Sequence, residues 1–215
     1  LVVGSKVFDE QGRVRYVVAS KSWEDRPRYR VMFGDGTSVV ADANHLWSTT
    51  TLRERSLRRG PTTRTTVEVA ETVKVPRGTT SNHAVAWAKP LDYPRQHLLI
   101  PPYVLGLWLG DGHHQGSTIS CHEDDVQETV SNIEAEGYTC TPRQWDPKHG
   151  KGRYVTVHGS ARWSHDGLAH QLRVLGLMGD KHVPGSYLRG SVGQRLDLLA
   201  GLMDSDGSVS KGGGC

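Results

Sequence analysis

Two stretches of this 215-residue chain repeat one pattern: Tyr103-Val104-Leu105-Gly106-Leu107-Trp108-Leu109-Gly110-Asp111-Gly112 and Leu198-Leu199-Ala200-Gly201-Leu202-Met203-Asp204-Ser205-Asp206-Gly207. Each reads as an apolar helix that stops at Asp-Gly. An apolar surface on all sides predicts a buried helix, and Gly106 and Gly110, four apart, leave a groove in which a second backbone comes close. Two such helices packed side by side bring Asp111 and Asp206 together at one end. Paired carboxylates at the bottom of a cleft bind Mg²⁺, which activates water and stabilises the leaving oxygen in phosphodiester cleavage. Either segment alone reads equally well as a core helix with an acidic end. The signal gains specificity because it occurs twice, 95 positions apart, around a strand-rich segment.

The elements that must position these residues are legible from about residue 97. Pro101-Pro102 suits the first turn of a helix, where the missing amide has no partner to lose. Apolar spacing predicts helices over 103–110, 123–136, 168–175 and 194–203; Val126, Val130 and Ile133 share one face of the second, and Gly137 closes it. Strands are predicted over 117–121, 138–144 and 153–158, the last two an antiparallel pair across the turn from Asp146 to Gly152. The first fifty residues read as all β: strands over 14–20 and 29–33, then Gly34-Asp35-Gly36 as a hairpin signal into 37–40. Between them, Arg53 to Arg64 holds five arginines and one acid with no core-forming pattern, and reads as an exposed insertion or linker. A short helix over 67–75 precedes Pro76, and a proline-punctuated connector follows. The organisation is therefore 1–52 β-rich, 53–96 basic insertion and connector, and 97–215 mixed α and β.

Composition narrows the classes. Lys and Arg number 26 against 23 Asp and Glu, giving +3 and a pI near 8.8, too little charge for a whole-surface polyanion binder. The basic residues instead cluster in 53–64 and 143–153. No apolar run approaches the roughly 20 residues of a membrane helix, so no membrane partner is expected. No secretory leader is visible, and the start at Leu1 rather than Met reads as an internal cut. Cys121, Cys140 and Cys215 are odd in number and widely spaced, without a zinc or disulfide pattern, which favours a reducing, cytoplasmic setting.

The doubled motif resembles that of the LAGLIDADG homing endonucleases. The second copy, Leu199 to Gly207, departs from the family's motif at two of nine positions, and the first, Val104 to Gly112, keeps the glycine, the final aspartate and the glycine after it. The resemblance implies an α+β endonuclease domain, here one full repeat and the start of a second, acting as a monomer on double-stranded DNA. It assigns Asp111 and Asp206 to the metal, Mg²⁺, at the scissile phosphates. Asp204 reads as a helix-end residue. Lys181, in Lys181-His182-Val183-Pro184, fits the family's lysine before the second motif, where a cation polarises water or offsets phosphorane charge; it reads otherwise as a surface lysine. DNA reading in the family uses an antiparallel sheet in the major groove. The hairpin candidates are Arg143, Gln144, Lys148, Lys151, Arg153 and Thr156, suited to purine edges and phosphates, or simply to solvating a hairpin.

Upstream, Asp35 to Trp47, containing Asp42, His45 and Trp47, looks like the second splicing block of inteins. The resemblance implies a partial, β-rich Hint-type splicing domain that needs no cofactor, with His45 hydrogen-bonding the upstream scissile peptide between flanking exteins. Asp42 replaces the usual Thr three residues before the histidine. Trp47, two residues after it, resembles class 3 inteins, which use an internal Cys in a later block; Trp47 reads equally as a core aromatic. Cys215 follows the second motif too closely for that block and reads as strand packing. The chain thus resembles the front portion of a larger intein, inactive on its own, with a replicative DNA helicase as the host that the resemblance suggests. The alternatives are a decayed, non-cleaving DNA-binding or structural insert, and a free-standing endonuclease or maturase.

Overall fold

A computed structural model describes residues 1–76, 78–144, 152–159 and 167–207. The chain divides into two units, Leu1–Leu91 and Asp92–Cys215, and is of mixed α and β class with small antiparallel sheets. No described helix is long and apolar enough to cross a membrane.

In the first unit β1 (Lys6–Phe8) pairs with β2 (Val14–Tyr16), and β3 (Arg28–Met32) with β4 (Ser38–Asp42), both antiparallel. The Asp35 carboxylate accepts from the Thr37 amide and hydroxyl at 2.9 and 2.7 Å, and Gly36 takes φ +86°, which closes the expected hairpin. The strand expected over 14–20 stops at Tyr16; Val18 is 87% exposed.

A three-stranded sheet follows, with β5 (Leu46–Thr51) between β6 (Thr62–Thr65) and β7 (His83–Val85). Residues 53–64, expected as an exposed insertion, instead supply most of α1 (Leu52–Ser56) and most of β6. Local chemistry explains the difference. Thr51 forms a capping box with Glu54, as Thr65 does with Glu68 to start α2 (Thr66–Glu71). Glu54 then meets Arg64 of β6 at 2.6 Å. Among the described residues of this unit Ala41 is the one buried apolar side chain, and Thr49 and Thr66 are buried polar ones. Hydrogen bonds rather than a large apolar core knit the sheet.

The second unit comprises α3 (Pro102–Asp111), β8 (Thr118–His122), α4 (Val126–Ala135), β9 (Thr139–Gln144), β10 (Gly152–His158), α5 (Leu168–Val174), α6 (Gly185–Leu188) and α7 (Val192–Asp206). Gly137, at φ +89°, follows α4 in the left-handed conformation that terminates helices. β10 lies between β8 and β9, antiparallel to both. Alternation sends Ile119, Val155 and Val157 inward, where they meet Trp108, Ile133 and Leu172 in one core. The turn expected from Asp146, with Lys148 and Lys151, lies outside the described residues, as does Cys215.

Candidate functional site

α3 buries Val104, Leu105, Gly106, Leu107 and Trp108 in succession, because it is apolar all round. It packs along α7, and the helices meet at their glycines. A Cβ added to Gly106 would lie 2.9 Å from the Leu202 nitrogen and 3.0 Å from the Gly201 Cα. One added to Gly201 would strike the Tyr103 carbonyl and lie 2.8 Å from the Leu107 nitrogen. The backbones therefore touch, which any side chain would prevent. Further along, a Cβ on Gly110 would lie 2.7 Å from the Ser205 Cβ and 3.3 Å from Asp206 Oδ2.

The two helices also end alike. Gly112 (φ −72°, ψ 145°) and Gly207 (φ −69°, ψ 146°) leave their helices in extended backbone while donating to the Trp108 and Met203 carbonyls at 2.9 and 3.0 Å. A Cβ on either would collide with the carbonyl that its own amide caps. The glycine after each aspartate thus turns the chain away and leaves the carboxylate at the helix end. α7 is fixed in this register at its start: Ser191 caps it reciprocally with Gln194, whose side chain also accepts from the Gln96 amide at 2.9 Å and donates to the Gln96 carbonyl at 2.8 Å.

Asp111, Asp206 and Lys181 gather at this end. Lys181 Nζ donates to the carbonyls of Leu109 and Gly110 at 3.2 and 3.1 Å, groups that a helix end leaves without intrahelical partners, and stands 5.0 Å from the centre of the Trp108 ring. Burial pulls Lys181 below the usual lysine range, against the opposing pull of Asp206 and Asp111. Burial pushes Asp111 up, and the Asp206 charge pushes it further, against Lys181. Two carboxylates, Asp111 partly buried and Asp206 exposed, share one place with one partly buried cation. The donor set is hard oxygen and fits Mg²⁺, which commonly takes one or two carboxylates and completes its shell with water and substrate phosphate; among the described residues no group of three metal-ligating side chains occurs. Beside Asp111 a cavity of about 250 Å³ is lined by Ser120, Cys121, Asp125, Thr129, Asp204 and Ser205, among others. Asp204 accepts from the Tyr103 hydroxyl at 2.8 Å, and Asn132 donates to that hydroxyl at 2.9 Å, tying α4, α3 and α7.

The sheet separates the expected DNA-reading residues. Register puts Arg143 opposite Tyr154 and Thr156 opposite Thr141, on the face away from Val155 and Val157. Arg153 alternates onto the Val155 side, and its Nη2 meets Glu123 Oε2 at 3.0 Å. Gln144 lies opposite Arg153 in register. Sequence reasoning missed Thr118, Ser120, Thr141, Tyr154 and His158, which register places on the outer face with Thr156. Their alternation with Ile119, Val155 and Val157 was the available signal.

In the first unit, Asp42, His45 and Trp47 surround the turn between β4 and β5. The Asp42 carboxylate accepts from the Asn44 amide at 2.8 Å and stands 3.7 Å from Arg26, while the Asp42 carbonyl accepts from the His45 amide at 3.1 Å. Asp42 thus shapes the turn that presents His45, whose ring is exposed. The Trp47 ring meets His45 edge to face at 4.9 Å, and its Nε1 donates to Thr66 Oγ1 at 2.9 Å. Thr66, 2% exposed, also donates its amide to the His45 carbonyl at 3.0 Å, and sequence reasoning did not find it. Burial pushes the Cys121 thiol up and the Cys140 thiol to about 12, so neither is primed as a nucleophile.

No family model matches the chain. It is 35% identical over 229 residues to the replicative DNA helicase DnaB of Mycobacterium intracellulare, an alignment that takes in 99% of this chain and 35% of that protein. The chain thus spans about a third of the length of the curated relative it matches.

Proposed function

We propose that the chain is part of an intein in a replicative helicase, with the first unit, Leu1–Leu91, in a Hint-type splicing domain and the second, Asp92–Cys215, in a LAGLIDADG homing endonuclease that cleaves double-stranded DNA. The observation that carries the nuclease reading is the backbone contact at Gly106 and Gly201, which sets Asp111, Asp206 and Lys181 at one end of the helix pair. The similarity to about a third of a helicase supports an intervening segment in such a host.

Asp111 and Asp206 would hold Mg²⁺, which when bound supplies Lewis-acid activation of water and of the leaving oxygen. Lys181 contributes a fixed positive charge beside the aspartates. Its tether to the α3 carbonyls holds the ammonium in place, so little reorganisation is needed as negative charge develops on a phosphate. Arg143, Thr156, Tyr154 and the outer-face threonines offer donors and acceptors to base edges, and Lys148 and Lys151 would supply phosphate contacts. In the splicing reaction His45 would hydrogen-bond the upstream scissile peptide, with Asp42 setting its turn and Trp47, anchored by Thr66, setting its ring.

Expression of the complete gene tests both halves. Ligated host protein should accumulate from the parent and fail to accumulate from His45→Ala; equal ligation in both would remove the splicing assignment. The excised intein should cleave a host gene lacking the insertion. Metal-independent, salt-sensitive DNA binding without cleavage would select a decayed nuclease instead.

A further inference from the structure

The first unit carries arginines at 53, 55, 58, 59 and 64, and two of them serve the fold. Arg64 pairs with Glu54 at 2.6 Å and donates to the Thr49 carbonyl at 2.9 Å, while Arg55 donates to the Thr50 carbonyl at 2.6 Å. Glu54, the single acid of the stretch, is thereby neutralised. Arg53, Arg58 and Arg59 are exposed, and their side chains have no hydrogen-bond or ion-pair partner among the described residues.

Arg58 also breaks a local rule. α1 ends with the Arg59 amide donating to the Glu54 carbonyl at 2.8 Å and the Arg58 amide to the Arg55 carbonyl at 3.0 Å, which places Arg58 at φ +52°. That pair of bonds defines the helix ending whose left-handed position favours glycine. A long side chain there is a cost to the fold. Glycine at this position would keep both backbone bonds and relieve the strain, so no fold requirement visible in these contacts explains the arginine. A residue held against its local preference points to a demand from a ligand.

We propose that Arg53, Arg58 and Arg59 form a second duplex-DNA contact, on the splicing unit, that grips phosphates without reading sequence. Planar guanidiniums with unoccupied donors match phosphate oxygens. The proposal rests on the DNA-binding reading above but uses no residue of the second unit.

The test measures binding of the complete protein to a labelled duplex of arbitrary sequence, about three helical turns long, without divalent ions, over about 50 to 200 mM salt. Arg58→Gly should raise the unfolding midpoint yet flatten the slope of log K against log salt by about 0.9. Combining it with Arg53→Gln and Arg59→Gln should flatten the slope by about 2.7. An unchanged slope in the triple variant, with the parent still binding the duplex, would overturn the patch and leave the endonuclease reading standing. Failure of the parent to bind any duplex would overturn both. Tighter binding of the patch to an RNA duplex or an acidic polypeptide would replace the DNA partner. A loss of stability in Arg58→Gly would remove the strain argument.

Discussion

Gly201→Ala puts the helix contact itself under test. The added methyl would lie 2.8 Å from the Leu107 nitrogen and 3.0 Å from the Tyr103 carbonyl carbon, both backbone atoms of α3 that cannot rotate away. Ordinary contacts sit at about 3.5–4.0 Å, so the helices must part by roughly 1 Å. Overpacking of this kind costs about 1–3 kcal/mol, and rigid backbone on the far side puts it near the top of that range. Alanine's better helix propensity returns about 1 kcal/mol. The net loss is about 2 kcal/mol, or roughly 8 °C in Tm for a unit of this size. A 1 Å displacement of Asp206 from Asp111 should also lower cleavage by about 10²-fold. Gly193→Ala is the control in the same helix, since its added methyl would meet nothing nearer than Ser191 Oγ at 4.0 Å; it should gain about 0.5–1 kcal/mol. Thermal melts of both variants, with cleavage assayed in the complete protein, decide the point. A Gly201→Ala variant as stable and active as Gly193→Ala would refute the backbone contact.

Other outcomes follow from the same geometry. Asp111→Asn should raise Tm while abolishing cleavage, because a carboxyl pushed up by burial and by Asp206 is favoured below its unfolded pKa and becomes a cost as pH rises through its folded one; calorimetry reads the gain. Glu54, held at about 2 by the Thr51 amide and then by Arg64, contributes stability that is present above its unfolded value of 4.5 and is lost as pH falls toward 2. Acid titration of Glu54→Gln should therefore be flatter than the parent's across that window. Arg153→Gln, which breaks a half-exposed pair with Glu123, should cost under about 1 kcal/mol and leave DNA discrimination intact. Arg143→Gln and Thr156→Val should instead relax discrimination by about 1–3 kcal/mol at the base pairs they meet, as competition binding with single-base variants would show.

The helix pair was legible because its signal is local: apolar side chains on every face, glycines at the crossing and Asp-Gly at each end. The second unit's strands were legible because Ile119, Val155 and Val157 alternate with polar residues. What escaped was information carried by distant partners. Arg153 was chosen for its charge, but its direction depends on pairing with β8 and β9, and its partner Glu123 stands 30 positions earlier. Thr66 braces His45 and Trp47 only because β6 pairs with β5 and brings Thr65 opposite Leu46. Lys181 was found through a resemblance; its hold on the Leu109 and Gly110 carbonyls, more than 70 positions away, has no sequence signature. The helix and strand inside the basic stretch are a different case. Thr51-Leu52-Arg53-Glu54 and Thr65-Thr66-Val67-Glu68 are plain helix-start signals, set at either end of a stretch whose composition is dominated by arginine.

The central claim is that Asp111 and Asp206 act as one metal-dependent site. Single-turnover cleavage of a host gene lacking the insertion, by the complete protein with and without Mg²⁺, tests it most directly. Mg²⁺-dependent cutting should fall by about 10²–10³-fold or more in Asp111→Asn and again in Asp206→Asn, while each variant stays folded. Cleavage that persists in either variant, or that proceeds equally without a divalent ion, would contradict the account.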